Sequence, residues 1–195
     1  VTDHLSLAPL RVALADAERA VATLLEYVGE DPMRDGLLDT PSRVVRALRE
    51  LTSGYDEDPA QILSRTFDES SDELILLRDI AFHSTCEHHL LPFHGTVTIG
   101  YLPGKVVGIS KLARLVDCFA RRLQIQERMT TQIAQAIETH LESRGTGVIV
   151  SARHLCMACR GVKQESTAMV TSAMLGGLRA DASSRAEFLR LASIG

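Results

Sequence analysis

Two short runs of metal-seeking side chains, far apart in the chain, constrain the fold more than any other feature. The first is Ser84-Thr85-Cys86-Glu87-His88-His89, with Cys86 and His89 at C-x-x-H spacing and His88 between them. The second is His154-Leu155-Cys156-Met157-Ala158-Cys159-Arg160. A fold that uses both must carry them to one place. Adjacent histidines cannot easily reach one metal from one face. His88 and His89 are therefore expected to divide the work, one as a ligand and the other as an acid–base group.

Three readings of these runs stand side by side. Cys86, His89 and Cys156 form a soft Cys2His set suited to Zn²⁺, and three protein ligands leave the fourth tetrahedral position for water. Adding Cys159 gives a Cys3His set, which would close the site and make the zinc structural. Plain core thiols and histidines are the third reading, and the clustering argues against it. A closed site has no use for His88 and His154 beside it, or for Arg160 next to Cys159, so the surroundings favour the open set. The run Gly147–Cys156 reads as a strand. Residues two apart on a strand share a face, so His154 and Cys156 are expected to point the same way. Cys118 lies on an apolar helix face and reads as packing.

Charge restricts the partners. The formal net charge of −4 argues against a nucleic-acid scaffold, so an anionic ligand needs a local cluster of bases. No apolar run approaches membrane-span length. Four cysteines with no recognisable signal peptide before them predict reduced thiols or metal ligands and a cytoplasmic location. Ser110-Lys111-Leu112-Ala113-Arg114 opens a predicted helix. Two cations in a first turn oppose the helix dipole, and an anion bound there would reverse that penalty. Arg160 and Lys163 add positive charge suited to a polyphosphate. The plainer reading is a capped helix with solvated bases. Gln126-Glu127 opens the next helix, where Glu127 compensates the dipole in any case. A carboxylate there can also accept two hydrogen bonds from neighbouring donors, such as the ring N–H and exocyclic amine of guanine. Arg43, in the first turn of a helix opened by Thr40-Pro41, reads by itself as a solvated cation.

The order of elements predicts the fold. A helix over about Pro9–Val28 carries an apolar stripe of Leu10, Leu14, Ala17, Val21, Leu24 and Val28, stopped by Gly29. The Thr40-Pro41 helix ends at Gly54. Strands are expected over Leu74–His83, Phe93–Tyr101, Gly147–Cys156 and Ser166–Leu175. Helices fall at Ser110 onward, about Gln126–Ser143, and about Ser184–Ala192. This is an α+β pattern: a four-stranded antiparallel sheet with a helix pair on one face, preceded by an N-terminal helical region. The organisation expected is a helical region over residues 1–62 and a catalytic domain over 63–195. So small a sheet has open edges, which favours assembly with other copies.

With these runs in view, the chain resembles GTP cyclohydrolase I from about Glu30 to Leu191. The residues that carry the resemblance are Ser84–His89, Gly108-Ile109-Ser110-Lys111-Leu112-Ala113-Arg114, Gln126-Glu127-Arg128-Met129-Thr130, and His154-Leu155-Cys156 through Arg160-Gly161-Val162. Gly36-Leu37-Leu38 and Thr40-Pro41-Ser42-Arg43-Val44 also fit. The resemblance implies a tunnelling fold, assembled through its sheets into a homodecamer with active sites at subunit interfaces. It implies zinc on Cys86, His89 and Cys156, with His88 and His154 catalytic. It implies guanine recognition by Glu127 with Gln126. Triphosphate binding falls to Ser110, Lys111, Arg114 and Arg160, with Arg43 reaching a neighbouring subunit. Cys159 departs from the resemblance, which more often has a non-ligating residue there, and it is expected not to bind the metal. A zinc base deaminase would instead show His-x-Glu and Pro-Cys-x-x-Cys, which this chain lacks. A zinc-stabilised regulator would bind GTP without turning it over.

Overall fold

The computed structural model describes residues 12–69 and 71–193. The expected helix over Pro9–Val28 starts at Leu14, and its Pro9-Leu10-Arg11 segment lies outside the described residues. Helix α1 (Leu14–Tyr27) stops at Gly29, whose φ is +86°. Gly29 N–H donates to the Glu26 carbonyl and Glu30 N–H to the Leu25 carbonyl, the paired bonds of a Schellman end. α2 (Thr40–Leu51) packs against α1, and α3 (Pro59–Leu63) leads into the sheet region. Asp39, not Thr40, precedes the first helical residue of α2.

The sheet region contains β1 (Thr66–Phe67), β2 (Ile75–Cys86), β3 (Pro92–Leu102) and β4 (Val106–Val107). Helix α4 (Ile109–Ala120), β5 (Leu123–Gln124) and α5 (Gln126–His140) follow. The chain then runs through β6 (Gly145–His154), the one-turn α6 (Leu155–Ala158) and β7 (Met169–Leu175) to α7 (Gly176–Ala180) and α8 (Ala182–Ala192). The expected four-stranded antiparallel sheet is corrected to five strands in the order β5-β2-β3-β6-β7. The four long strands pair antiparallel, and β5 adds to β2 in parallel through Thr85–Leu123 and Cys86–Gln124. Two residues between two helices carry no readable alternation, which is why β5 escapes a pattern-based reading. β1 and β4 form a separate small ribbon.

Alternation builds the core. Val97, Ile99 and Tyr101 on β3, and Val148 and Val150 on β6, are fully buried on one face. α4 packs on β2, and α5 on β6 and β7. Their Leu112, Leu115, Val116, Met129, Ile133 and Ile137 close that face. β2 changes phase within its length. Its register shifts between Leu77 and Ile80, where Asp79 takes a φ of +56°. Ile75 and Leu77 pack inward before this bulge, and Ile80, Phe82 and Cys86 after it. One extra residue has flipped the strand's face, as a bulge must.

β6 ends at His154, two residues before the expected boundary, and Cys156 sits in α6. Leu155, Met157 and Ala158 are good helix formers, and the Cys159 N–H donates to the Leu155 carbonyl at 3.0 Å. The shared-face argument for His154 and Cys156 therefore does not apply. The N-cap of α4 is Gly108, and Ser110 lies in the first turn without capping it.

On the opposite side of the sheet, Phe188 of α8 fills a slot left by two strand glycines, Gly100 and Gly147, which alternate with the core-facing Ile99, Tyr101 and Val148. A Cβ on Gly100 or Gly147 would lie 2.6 Å or 2.9 Å from the Phe188 ring. Phe188→Ala should destabilise the protein by about 3–5 kcal/mol, read as a lower denaturation midpoint in urea. A loss below about 1 kcal/mol would mean the slot collapses around the smaller side chain.

Candidate active site

The site is assembled at one end of the sheet, with β3 as the spacer. Phe93 of β3 is opposite Ser84 of β2 on one side and His154 of β6 on the other. The end of β2, bearing Cys86, thus lies two strands from the end of β6, bearing His154. Between β2 and β3 the chain turns tightly: Cys86 N–H donates to the Leu91 carbonyl and Leu90 N–H to the Cys86 carbonyl, both at 2.9 Å. His88 and His89 project from this turn and are exposed.

Cys86, His89 and Cys156 each offer one ligand atom, and these atoms all lie within 4.8 Å of one another. In tetrahedral zinc with bonds of about 2.0–2.3 Å, ligand atoms stand a little under 4 Å apart, so this group fits one ion after small adjustment. The donor chemistry, two soft sulfurs and an imidazole, fits zinc as well. Cys159 is outside the group. It is exposed, and its thiol donates to the Leu155 carbonyl at 2.9 Å. Burial, followed by the neighbouring Cys86 sulfur, pushes the Cys156 thiol above its ordinary value, while Arg160 opposes the rise. A metal must displace that proton, so loading should strengthen as pH rises.

The other two histidines occupy different surroundings. His88 Nδ1 lies 3.9 Å from the Cys86 sulfur. His154 stacks face to face on Phe93, with centroids 4.5 Å apart and planes 3° apart. Burial holds its pKa below the usual imidazole value, opposed by Glu127. Its Nε2 lies 2.9 Å from Gln126 Oε1. Gln126 is 1% exposed, whereas Glu127 is exposed on the first turn of α5.

Arg160 sits close enough to Cys156 to lower its thiol pKa against that rise, and the other bases lie on α4 and α2. Ser110 and Arg114 are exposed and Lys111 half-buried in the first turns of α4. Arg114 lines a cavity of about 410 Å³ with Ser53, Glu57, Ile62, Asp117 and Arg121. Arg43 on α2 is exposed and pairs with Asp39 at 2.9 Å. Among the described residues, no side-chain hydrogen bond or ion pair joins Ser110, Lys111, Arg114, Arg160 or Arg43 to the three ligand side chains.

Sequence reasoning left Arg128 and Phe93 unassigned. Arg128 bonds the Glu87 carboxylate, Gln124 Oε1 and the Leu123 carbonyl, tying α5 and β5 to the ligand turn. Its guanidinium holds the Glu87 carboxyl below the usual carboxylate range. Glu87 N–H also donates to the Gln124 carbonyl at 3.0 Å. Arg128 lay inside a motif already singled out, and a charge opposite Glu87 was the available signal.

An α+β scaffold that gathers two thiols and an imidazole at a strand end, with a second imidazole packed alongside, defines a protein built around a candidate metal centre. Comparison with known proteins then gives the family. Residues 17–193 match GTP cyclohydrolase I, and the chain belongs to that family. It is 54% identical over 180 residues to GTP cyclohydrolase 1 of Mycobacteroides abscessus, covering 91% of this chain and 88% of that protein. It is 53% identical over 176 residues to that of Chlorobium chlorochromatii, covering 89% and 79%. With that of Corynebacterium glutamicum it shares 50% identity over 182 residues, covering 90% and 93%.

Because Arg128 clamps the ligand turn, Arg128→Ala should weaken zinc binding about 10- to 100-fold without removing a ligand. Competition with a chromogenic chelator measures this. Unchanged affinity would mean the turn holds its shape without the clamp.

Proposed function

We propose that this chain is a GTP cyclohydrolase I enzyme. It opens the imidazole ring of the guanine of GTP by hydrolysis, releases formate and yields 7,8-dihydroneopterin triphosphate, the first step of folate and pterin biosynthesis. The net change consumes one water per GTP. The observation that carries this reading is the convergence of Cys86, His89 and Cys156 on one point beside His154, in a chain of this family.

Zinc bound by Cys86, His89 and Cys156 supplies a Lewis acid able to bring the pKa of water toward about 7. The chain's own residues do the rest. His88, exposed beside the ligand turn, donates a proton to the imidazole-ring nitrogen of guanine as charge builds there. His154 accepts and returns the proton of the attacking water. Glu127 accepts the ring N–H and exocyclic amine of guanine, which fixes the base and turns C8 toward the ligand cluster. Ser110, Lys111, Arg114 and Arg160 hold the triphosphate, helped by the free N–H groups at the start of α4. Held at both ends, the substrate presents C8 in one orientation, so attack by water becomes effectively unimolecular.

The α4 bases and Arg43 make no side-chain bond to the ligand cluster among the described residues, which suits a site completed by a neighbour, with Arg43 reaching the triphosphate of another copy. Two surfaces support assembly into a homodecamer. Leu14, Leu24 and Val28 of α1 are 63%, 63% and 68% exposed, an apolar stripe with no cover among the described residues. The outer edge of β7, with Val170 64% exposed, carries no further strand among the described residues. The same assembly would make the sheet that of a tunnelling fold. No described helix is long and apolar enough to cross a membrane.

His88→Ala should keep its zinc and lose formate release by at least about 100-fold, as expected for a proton-transfer residue. The assay pairs metal content with formate and with the fluorescence of the oxidised pterin. Full formate release from His88→Ala would remove His88 from the mechanism.

A further inference from the structure

The hydrogen bonds behind His154 run in one direction, and that direction can be read from groups that only accept. Thr130 Oγ1 lies 2.7 Å from the main-chain carbonyl of Gln126, so the single Thr130 proton goes there. Thr130 Oγ1 also lies 2.7 Å from Thr171 Oγ1. With its own proton spent, Thr130 accepts in that bond and Thr171 donates. The Thr171 oxygen then faces the Gln126 side chain as an acceptor, at 3.1 Å. Two main-chain carbonyls, Val150 at 3.1 Å and Met169 at 3.0 Å, point at the same end of that side chain. Three acceptors require the amide nitrogen at this end. The reverse orientation would set the amide oxygen against two carbonyl oxygens. Gln126 Oε1 is thereby turned onto His154 Nε2 at 2.9 Å, and an amide oxygen only accepts.

We propose that Gln126 is a positioning residue, which locks the neutral His154 ring as its Nε2–H tautomer and leaves the lone pair on Nδ1. The lock is rigid for three reasons. Gln126 is 1% exposed, so water does not compete for its amide. Phe93 holds the plane of the ring by stacking. Three acceptors on two neighbouring strands share the amide nitrogen: Val150 of β6, and Met169 and Thr171 of β7, with Thr130 of α5 behind Thr171. Both Gln126 N–H groups are consumed inside the protein. Its contribution to turnover therefore passes through His154, while Glu127 beside it is exposed. This second part rests on the acid–base role assigned to His154 above, whereas the tautomer itself does not.

The test is magic-angle-spinning NMR of the zinc-loaded full chain labelled with ¹⁵N-histidine, with the His154 signals identified by their loss in His154→Asn. In the unmodified protein His154 Nε2 should carry the proton and Nδ1 should be bare; a protonated Nδ1 overturns the proposal, whatever any variant does. Gln126→Met should release the ring to a mixture of tautomers and lower kcat about 10- to 100-fold. The KM for GTP should stay within about twofold, since a lost ground-state contact would raise it. Thr171→Val retains both carbonyl acceptors and should leave the ring signals as they are. An unchanged His154 spectrum in Gln126→Met, or a raised KM with kcat intact, overturns the proposal and makes Gln126 a scaffold or a substrate contact. A mixed ring in Gln126→Met with kcat undiminished supports the lock and removes the catalytic role of His154 instead.

Discussion

A single bulge decides which face of β2 meets the core. Between Leu77 and Ile80 the strand gains one residue over β3, with Asp79 in the left-handed region. Everything after it is turned over, so Phe82 and Cys86 are buried against α4 and α5. In unbroken alternation from Ile75 and Leu77, Cys86 would face the opposite side, away from α6 and Cys156. The candidate metal group therefore depends on a small departure from regularity at Asp79, well before Cys86 along the same strand. A left-handed Asp costs less than a left-handed β-branched residue would, because its short polar side chain tolerates that conformation.

The second dependence is the middle strand. β3 pairs with β2, which bears Cys86, and with β6, which ends at His154, and supplies the platform on which His154 lies. Its buried Phe93 also meets Phe82 edge-on, with centroids 5.8 Å apart. One aromatic side chain thus joins the core to the site. The His154 imidazole is held by packing on one side and hydrogen bonding on its rim, an arrangement that a loop-borne histidine does not have.

Much of this was legible in the chain. The stripe Met129, Ile133, Ile137 and Leu141 and the alternation around Val97, Ile99 and Tyr101 are buried where their periods put them. The C-x-x-H and H-x-C runs do meet. Other features were not legible, for physical reasons. β5 is two residues long, too short to show a period. The end of β6 turns on whether Leu155–Ala158 continues as strand or closes a helical turn, and local propensity alone settles that weakly. The bulge shows only as the pair Arg78-Asp79 between apolar residues, a pattern equally suited to a turn. The stripe on α1 reads as a packing face, yet its Leu14, Leu24 and Val28 stay exposed among the described residues, and periodicity alone does not say what such a face meets. Gln126 reads as a polar residue beside a carboxylate at a helix start. Its burial, and the acceptors around its amide, come from strands that sequence distance hides.

The proposed chemistry needs a metal held by two sulfurs and one imidazole, with the fourth position free of protein sulfur. X-ray absorption at the zinc edge of the fully loaded protein tests this most directly. Two sulfur scatterers at about 2.3 Å and two nitrogen or oxygen scatterers at about 2.0–2.1 Å are the predicted shell. Three sulfurs, unchanged when GTP is added, would place Cys159 on the metal and contradict the account.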